Sequence, residues 1–413
     1  MLRPVTPATV DSVPARLRVT LVDHTAGLAG GEVALARLLR ALDRDRFDAT
    51  VILLAQGPLE DRLRADGIRV VVLPTSEALT TVGRAEAVSS PLVAGVSALR
   101  SLAAIPRLAT AIRRTQADLV VANSLKSAVL VAFAAPLTGR RWVWHLHDRI
   151  APDYLPRLLV GALRSMARVG PLLVVANSAA TRSTLPRLPD RRVVVAYPGL
   201  EITAGSTPRE VSPPASFGLL GRIAPTKGQV EFLRAAALLL PQLPSARFTV
   251  IGDAMFSDAD FADRVRALPA ELDIADSVEF TGWAADPLAA VRQLTSLVHA
   301  SPVPEPFGQV LVEAMLEGVP VIGTNAGGVP EILDPGGLGQ AASNGVIITP
   351  LGLLVEPADP ASLASAMNWT ATHPHEVASM AIQARTSAAA RFDIRESARI
   401  IEAAWSTAAR RRR

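Results

Sequence analysis

The chain has no cysteine. Disulfides, thiolate metal ligands and a thiol nucleophile are therefore excluded together. Lysine is nearly as scarce: of 42 basic residues only Lys126 and Lys227 are lysines, the rest being arginine. No apolar run approaches the roughly 20 residues that cross a bilayer, and Met1 to Asp11 carries prolines and threonines where a secretory leader needs an apolar stretch. Among the six histidines, His145 and His147 lie two apart within a strand pattern. Two apart in a strand they would share a face, but no further ligands accompany them, so no metal is expected there. Charged residues make up 19% against 49% hydrophobic, which excludes a disordered chain, and 413 residues suffice for two domains of ordinary size.

What charge there is divides unevenly. Residues 1–200 hold 26 basic and 15 acidic side chains, whereas residues 201–413 hold 16 and 23. An arginine-rich chain with uneven surface charge is one account. An anionic membrane surface or acidic acceptor facing the first half is the other. Arg100, Arg107 and Arg114 recur every seven residues within Pro91–Thr115, on one helical face that Pro106 is expected to interrupt. No nucleic-acid partner is expected. The location expected is cytoplasmic, with peripheral contact at the inner membrane face as a further option.

Strands at 17–22, 49–54, 69–73, 119–122, 142–148, 172–178 and 193–199 alternate with helical patterns. That order predicts a parallel sheet covered on both faces. Glu201 to Ser216 is rich in Pro, Ser, Thr and Gly and reads as a linker. A second series of strands and helices follows, from Phe217. The expected boundaries are a first domain over 1–200, a linker over 201–216, a second domain over 217–391, and a terminal helix over 392–413 that returns to the first.

The densest patterning lies between Glu305 and Glu331. Glu305 precedes a helix entered at Phe307-Gly308, Glu313 lies inside that helix, and a strand and glycine turn close at Glu331. A carboxylate can accept both hydroxyls of a vicinal diol, and a helix N-terminus offers unpaired N–H groups to an anion. Sugar, diphosphate and ribose would fit between the two glutamates. Upstream, Gly221-Arg222-Ile223-Ala224-Pro225-Thr226-Lys227-Gly228 joins a forked cation to one of only two lysines. Near the N-terminus, Gly30-Gly31 sits between a strand and a helix, and His147-Asp148 closes a strand whose end would face a ligand crevice. Trp283 could stack on a base or form an apolar wall. Asp43-Arg44-Asp45 and Asp258-Ala259-Asp260 have a metal-binding spacing but read as charged turns.

This ordered set resembles the retaining, nucleotide-sugar-dependent family 4 glycosyltransferases (glycosyltransferase group 1), whose signature is E-x7-E. The resemblance implies a GT-B fold: α/β, with two Rossmann-like domains facing a cleft. It implies a nucleoside-diphosphate sugar as donor, a hydroxyl acceptor, no cofactor and no metal. Arg222 and Lys227 would hold the diphosphate, and Glu313 the ribose. Glu305 and the backbone at Phe307, Gly308 and Gln309 would orient the sugar. His147, Gly30 and Gly31 would close from the first domain. An epimerase or hydrolase of the same fold and a non-catalytic nucleotide-sugar-binding protein are the competing readings. The stretch 334–351 is longer than the family's turn, and reads either as a flexible loop or as a small hairpin through 346–348.

Overall fold

A computed structural model describes residues 16–74, 104–202, 214–254, 258–284 and 286–410. The N-terminal stretch to Asp11, Arg100 and most of the linker lie outside these. Two sheets organise the rest. The first contains β1 (Leu17–Asp23), β2 (Phe47–Leu53), β3 (Arg69–Val72), β4 (Leu119–Ala122), β5 (Trp142–Leu146), β6 (Leu173–Ala176) and β7 (Val193–Val195). They run in the order β3-β2-β1-β4-β5-β6-β7, and every pairing is parallel. Runs such as Leu119–Ala122 and Leu173–Ala176 are buried throughout, because helices cover both faces.

The second sheet contains β8 (Ser216–Leu220), β9 (Arg247–Ile251), β10 (Val278–Gly282), β11 (Ser296–His299), β12 (Val321–Thr324), β13 (Gln340–Ala341), β14 (Val346–Thr349) and β15 (Gly352–Val355). Their order is β10-β9-β8-β11-β12-β15-β14-β13. Pairing is parallel from β10 to β15 and antiparallel beyond it. Of the two readings of residues 334–351, the hairpin is therefore the one found: β14 folds back on β15, and β13 on β14. These are two parallel-dominated α/β sheets of Rossmann-like type, as the GT-B expectation requires.

Strand order reverses between β1 and β4 in one sheet and between β8 and β11 in the other. Ligand crevices of open α/β sheets lie outside the carboxyl ends of strands at such switch points. Gly30-Gly31 follows β1 and the 221–228 loop follows β8. Residues 300–308 follow β11.

The last helix, Ile394–Arg410, packs on the first sheet rather than the second. Its Trp405 is fully buried, stacked 5.6 Å from His145 and edge-on to Phe47 at 6.0 Å. Trp405 Nε1 donates to His145 Nε2 at 3.1 Å. His145 is thus a packing residue, and burial with the neighbouring His147 pushes its imidazole down to about 3. The helix Pro374–Arg391, not anticipated from the sequence, leads into this one. Residues 104–114 are helical, Pro106 included, with Arg107 and Arg114 both exposed, while the rest of Pro91–Thr115 upstream lies outside the described residues. No helix among the described residues is long and apolar enough to cross a membrane.

Candidate functional site

The 221–228 loop ends in a close approach. Gly228 has φ +82°, and a Cβ there would sit 1.9 Å from Ala300 O. Only glycine lets the loop press against the end of β11. Ser301 Oγ lies 2.7 Å from Thr226 O and 2.8 Å from Val303 O, tying the loop to the segment that carries Glu305. The result brings Lys227 Nζ to 2.7 Å from Glu305 Oε1. Arg222, on the same loop, reaches Asp258 Oδ2 at 3.1 Å. Asp258 is accordingly a partner of the arginine and not merely part of a charged turn.

Glu305 is the most strongly held carboxylate of the site. Burial pushes its pKa up, but the Lys227 charge and His299 together outweigh burial and hold it well below the usual carboxylate range. His299 Nε2 stands 3.9 Å from Glu305 Oε2, and its Nδ1 is 3.3 Å from Thr324 Oγ1. His299 is buried at the end of β11 and was not singled out by sequence reasoning, because a lone histidine in an apolar strand carries no distinguishing pattern. Behind Glu305, Gly327 (φ +65°) closes the glycine turn, and a Cβ there would lie 2.0 Å from Glu305 O. Gly328 N donates to that same oxygen at 2.9 Å.

The following helix, Gln309–Leu316, starts from Gly308 at φ +103°. Leu311 N donates to Gly308 O at 3.0 Å, and the N–H groups that open a helix otherwise have no intrahelical partner. The Phe307 side chain is buried and stacks on Tyr197 with centroids 5.6 Å apart, so only its backbone is free to meet a ligand. Gln309 Nε2 donates to Glu313 Oε1 at 3.2 Å. The same oxygen takes Arg37 Nη2 at 2.9 Å, from the helix Gly30–Ala41 of the other half. Both side chains are mostly buried, and Arg37 Nη1 has no hydrogen-bond partner among the described residues.

Further contacts join the halves. Ser178 Oγ donates to Pro306 O at 2.6 Å. Glu331 accepts the backbone N–H groups of Ala179 and Ala180 at 2.9 and 2.6 Å and the Tyr197 hydroxyl at 2.9 Å. Burial and the Glu331 charge push that phenol up to about 12. Glu331, read from sequence as the end of a turn, is thus a pin between the two halves.

On the first-half side, Gly31 faces His147: a Cβ at Gly31 would meet the ring at 3.7 Å. His147 lies just beyond β5, and its Nε2 is 3.1 Å from Asn123 Oδ1. Beneath them sits a polar cluster that sequence reasoning missed. Atoms of Asp23, His24 and Glu32 lie within 4.8 Å of one another. Burial, with Asp23 and then Asp148 adding to it, pushes Glu32 up to about 8. Trp283 is 62% exposed, which leaves its ring accessible for either sequence reading, stacking on a base or an apolar wall.

The expected site residues therefore form two groups. Arg222, Lys227, Glu305, Phe307, Gly308, Gln309 and Glu313 gather around the ends of β8 and β11, whereas Gly30, Gly31 and His147 meet at the ends of β1 and β5. Arg37 links the two. Residues 209–387 match the family described as glycosyl transferases group 1, and residues 28–203 match that described as glycosyltransferase family 4. The chain belongs to the family 4, group 1 glycosyltransferases. Among solved structures similar to this group 1 chain is Anabaena HepE in complex with UDP and glucose. It is 26% identical, with a TM-score of 0.76 over 95% of this chain and 100% of that one. Sucrose-phosphate synthase from Thermosynechococcus elongatus shares the fold, with TM-score 0.74 at 17% identity over 95% of this chain and 98% of that one. A curated relative, D-inositol 3-phosphate glycosyltransferase of Rhodococcus jostii, is 32% identical over 205 residues, 47% of this chain and 42% of the relative. The match to that relative spans less than half its length.

Proposed function

We propose that the chain transfers a sugar from a nucleoside diphosphate to an acceptor hydroxyl, with anomeric configuration retained and without a metal. The carrying observation is the Lys227–Glu305 pair at 2.7 Å, beside the start of the helix Gln309–Leu316. A departing nucleoside diphosphate gains negative charge as the glycosidic bond breaks, and fixed cations stabilise it. Lys227 supplies a point charge, and Arg222 a planar fork able to engage two phosphate oxygens. The helix N-terminus adds N–H donors toward the same anion. Glu305, kept ionised by Lys227, is suited to stabilising positive charge at the anomeric carbon and orienting the sugar. In this reading it is not a covalent nucleophile. Glu313 takes the ribose diol. His147 and the Gly30-Gly31 turn contact the sugar from the first domain.

The UDP and glucose held by the HepE structure support this type of donor. Incubation with a panel of nucleoside diphosphate sugars, with and without hydroxyl acceptors, tests the reading through release of nucleoside diphosphate. Acceptor-dependent release is expected. Equal release without acceptor would favour a hydrolase. Binding without turnover across a broad acceptor set would favour a non-catalytic binding protein. Contact with an anionic membrane is a separate proposal, supported by the basic first half and the exposed Arg107 and Arg114. Sedimentation with anionic vesicles tests it, and no dependence on anionic lipid would remove it.

A further inference from the structure

Strands β1, β4 and β5 include two neighbouring pairs, β1 with β4 and β4 with β5, and each of the three delivers one polar side chain just at or beyond its carboxyl end. Asp23 ends β1, Asn123 follows β4 and His147 follows β5. The first two are almost completely buried, at 0% and 2% exposure. The site chemistry proposed above does not use either of them.

Their hydrogen bonds run in one direction. Asp23 Oδ1 accepts the backbone N–H of His24 at 2.7 Å, and Asp23 Oδ2 accepts Asn123 Nδ2 at 2.7 Å. A carboxylate can only accept, so the Asn123 amide must turn its nitrogen to Asp23 and its oxygen to His147. That oxygen, Oδ1, lies 3.1 Å from His147 Nε2. An amide oxygen can also only accept, so Nε2 carries the proton. Burial lowers the His147 pKa, against the opposing charges of Asp148 and Asp23, and the ring is accordingly neutral near pH 7. Its lone pair then falls on Nδ1, for which no partner exists among the described residues. Gly31 lies beside the ring, where an added Cβ would meet Cγ at 3.7 Å and Cδ2 at 3.8 Å.

We propose that Asp23 and Asn123 are positioning residues that fix His147 as the Nε2–H tautomer, so that Nδ1 accepts a hydrogen bond from a hydroxyl of the donor sugar. The inference rests on the cleft being a nucleotide-sugar site, and it adds which atom of His147 meets the sugar and what that atom requires. A ring held this way selects for a proton-donating group, and a sugar lacking the hydroxyl at that position leaves Nδ1 unpaired. Unlike a packing role for Asn123, this one is visible in the protonation pattern of a different residue.

The test uses the full chain labelled with 15N-histidine, in which long-range nitrogen–proton correlations distinguish the two neutral tautomers. Wild-type His147, assigned by its loss in His147→Gln, is expected to show protonated Nε2. Asn123→Leu and Asp23→Asn are expected to convert it to a mixture. Steady-state kinetics with deoxy analogues of whichever hexose donor is turned over supply the second readout. One deoxy donor is expected to have kcat/KM reduced roughly tenfold in wild type, the worth of one lost hydrogen bond. That penalty should shrink to within about twofold in Asn123→Leu, whose loss for the parent sugar falls mainly on KM.

Protonated Nδ1 in wild type would overturn the proposal whether or not any donor reacts. A deoxy penalty that is identical in wild type and Asn123→Leu would also overturn it. Protonated Nε2 in a chain that neither binds nor turns over any nucleotide sugar would refute the donor reading of the cleft and the sugar contact with it, while supporting the Asp23–Asn123 arrangement.

Discussion

Arg37 and Glu313 meet across the cleft at 2.9 Å, although 276 residues separate them. The carboxylate proposed to hold the donor ribose is therefore held by a guanidinium from the opposite half. A diol and Arg37 compete for the same oxygens. Arg37→Ala is expected to tighten binding of a nucleoside diphosphate, by roughly three- to tenfold for the loss of one charge-assisted contact. Glu313→Ala should weaken binding by more than tenfold. Isothermal titration measures both. If Arg37→Ala weakens binding as much as Glu313→Ala does, the arginine is part of the ribose seat instead of its competitor.

Glu32 makes stability fall with rising pH. Burial is the main cause of its rise to about 8 from an ordinary value of 4.5, with Asp23 and Asp148 contributing. Between those values the folded chain holds a proton that the unfolded chain has released. Folding is favoured below the window, and the benefit is lost as pH rises through it. Glu32→Gln mimics the protonated side chain and should flatten this part of the profile. Urea unfolding at pH 5, 7 and 9 checks this, and a slope unchanged from wild type would contradict it.

His145 acts in the opposite sense. Its imidazole is held at about 3 by burial and by His147, against an ordinary 6.5, and it accepts the indole N–H of Trp405. Between 3 and 6.5 the unfolded chain binds a proton that the folded chain does not. Its contribution is present above 6.5 and is lost as pH falls toward 3. His145→Gln keeps an acceptor for Trp405 without titrating. The variant should lose less stability than wild type between pH 7 and 4 in thermal melts. Parallel losses would mean that the imidazole is not what couples the last helix to pH.

How far the sequence reached depended on whether a constraint was local. Gly228, Gly308 and Gly327 adopt positive φ within a few residues of the groups they position, so the stretches around Lys227 and Glu305 were readable as motifs. The two parallel series of strands were readable from alternation alone. Arg37, Asp258 and Glu331 were not, because each role depends on a contact tens to hundreds of residues away. Asp258 is a turn residue in one dimension and the partner of Arg222 in three. Residues 334–351 were ambiguous because β13 and β14 gain their identity by pairing at a sheet edge. The helix Pro374–Arg391 escaped because its alanines and serines blur any apolar stripe.

The most direct test of the central claim is the turnover of Lys227→Ala with a reactive donor and acceptor. Lys227 lies 2.7 Å from Glu305 and is the cation proposed to neutralise the leaving diphosphate. Single-turnover rates would be compared with wild type after matched circular dichroism and melting curves establish that the variant folds. A fall of roughly 100-fold or more in the chemical rate is expected, the usual loss on removing one group that stabilises developing charge. A folded Lys227→Ala chain that transfers sugar at the wild-type rate would contradict the account.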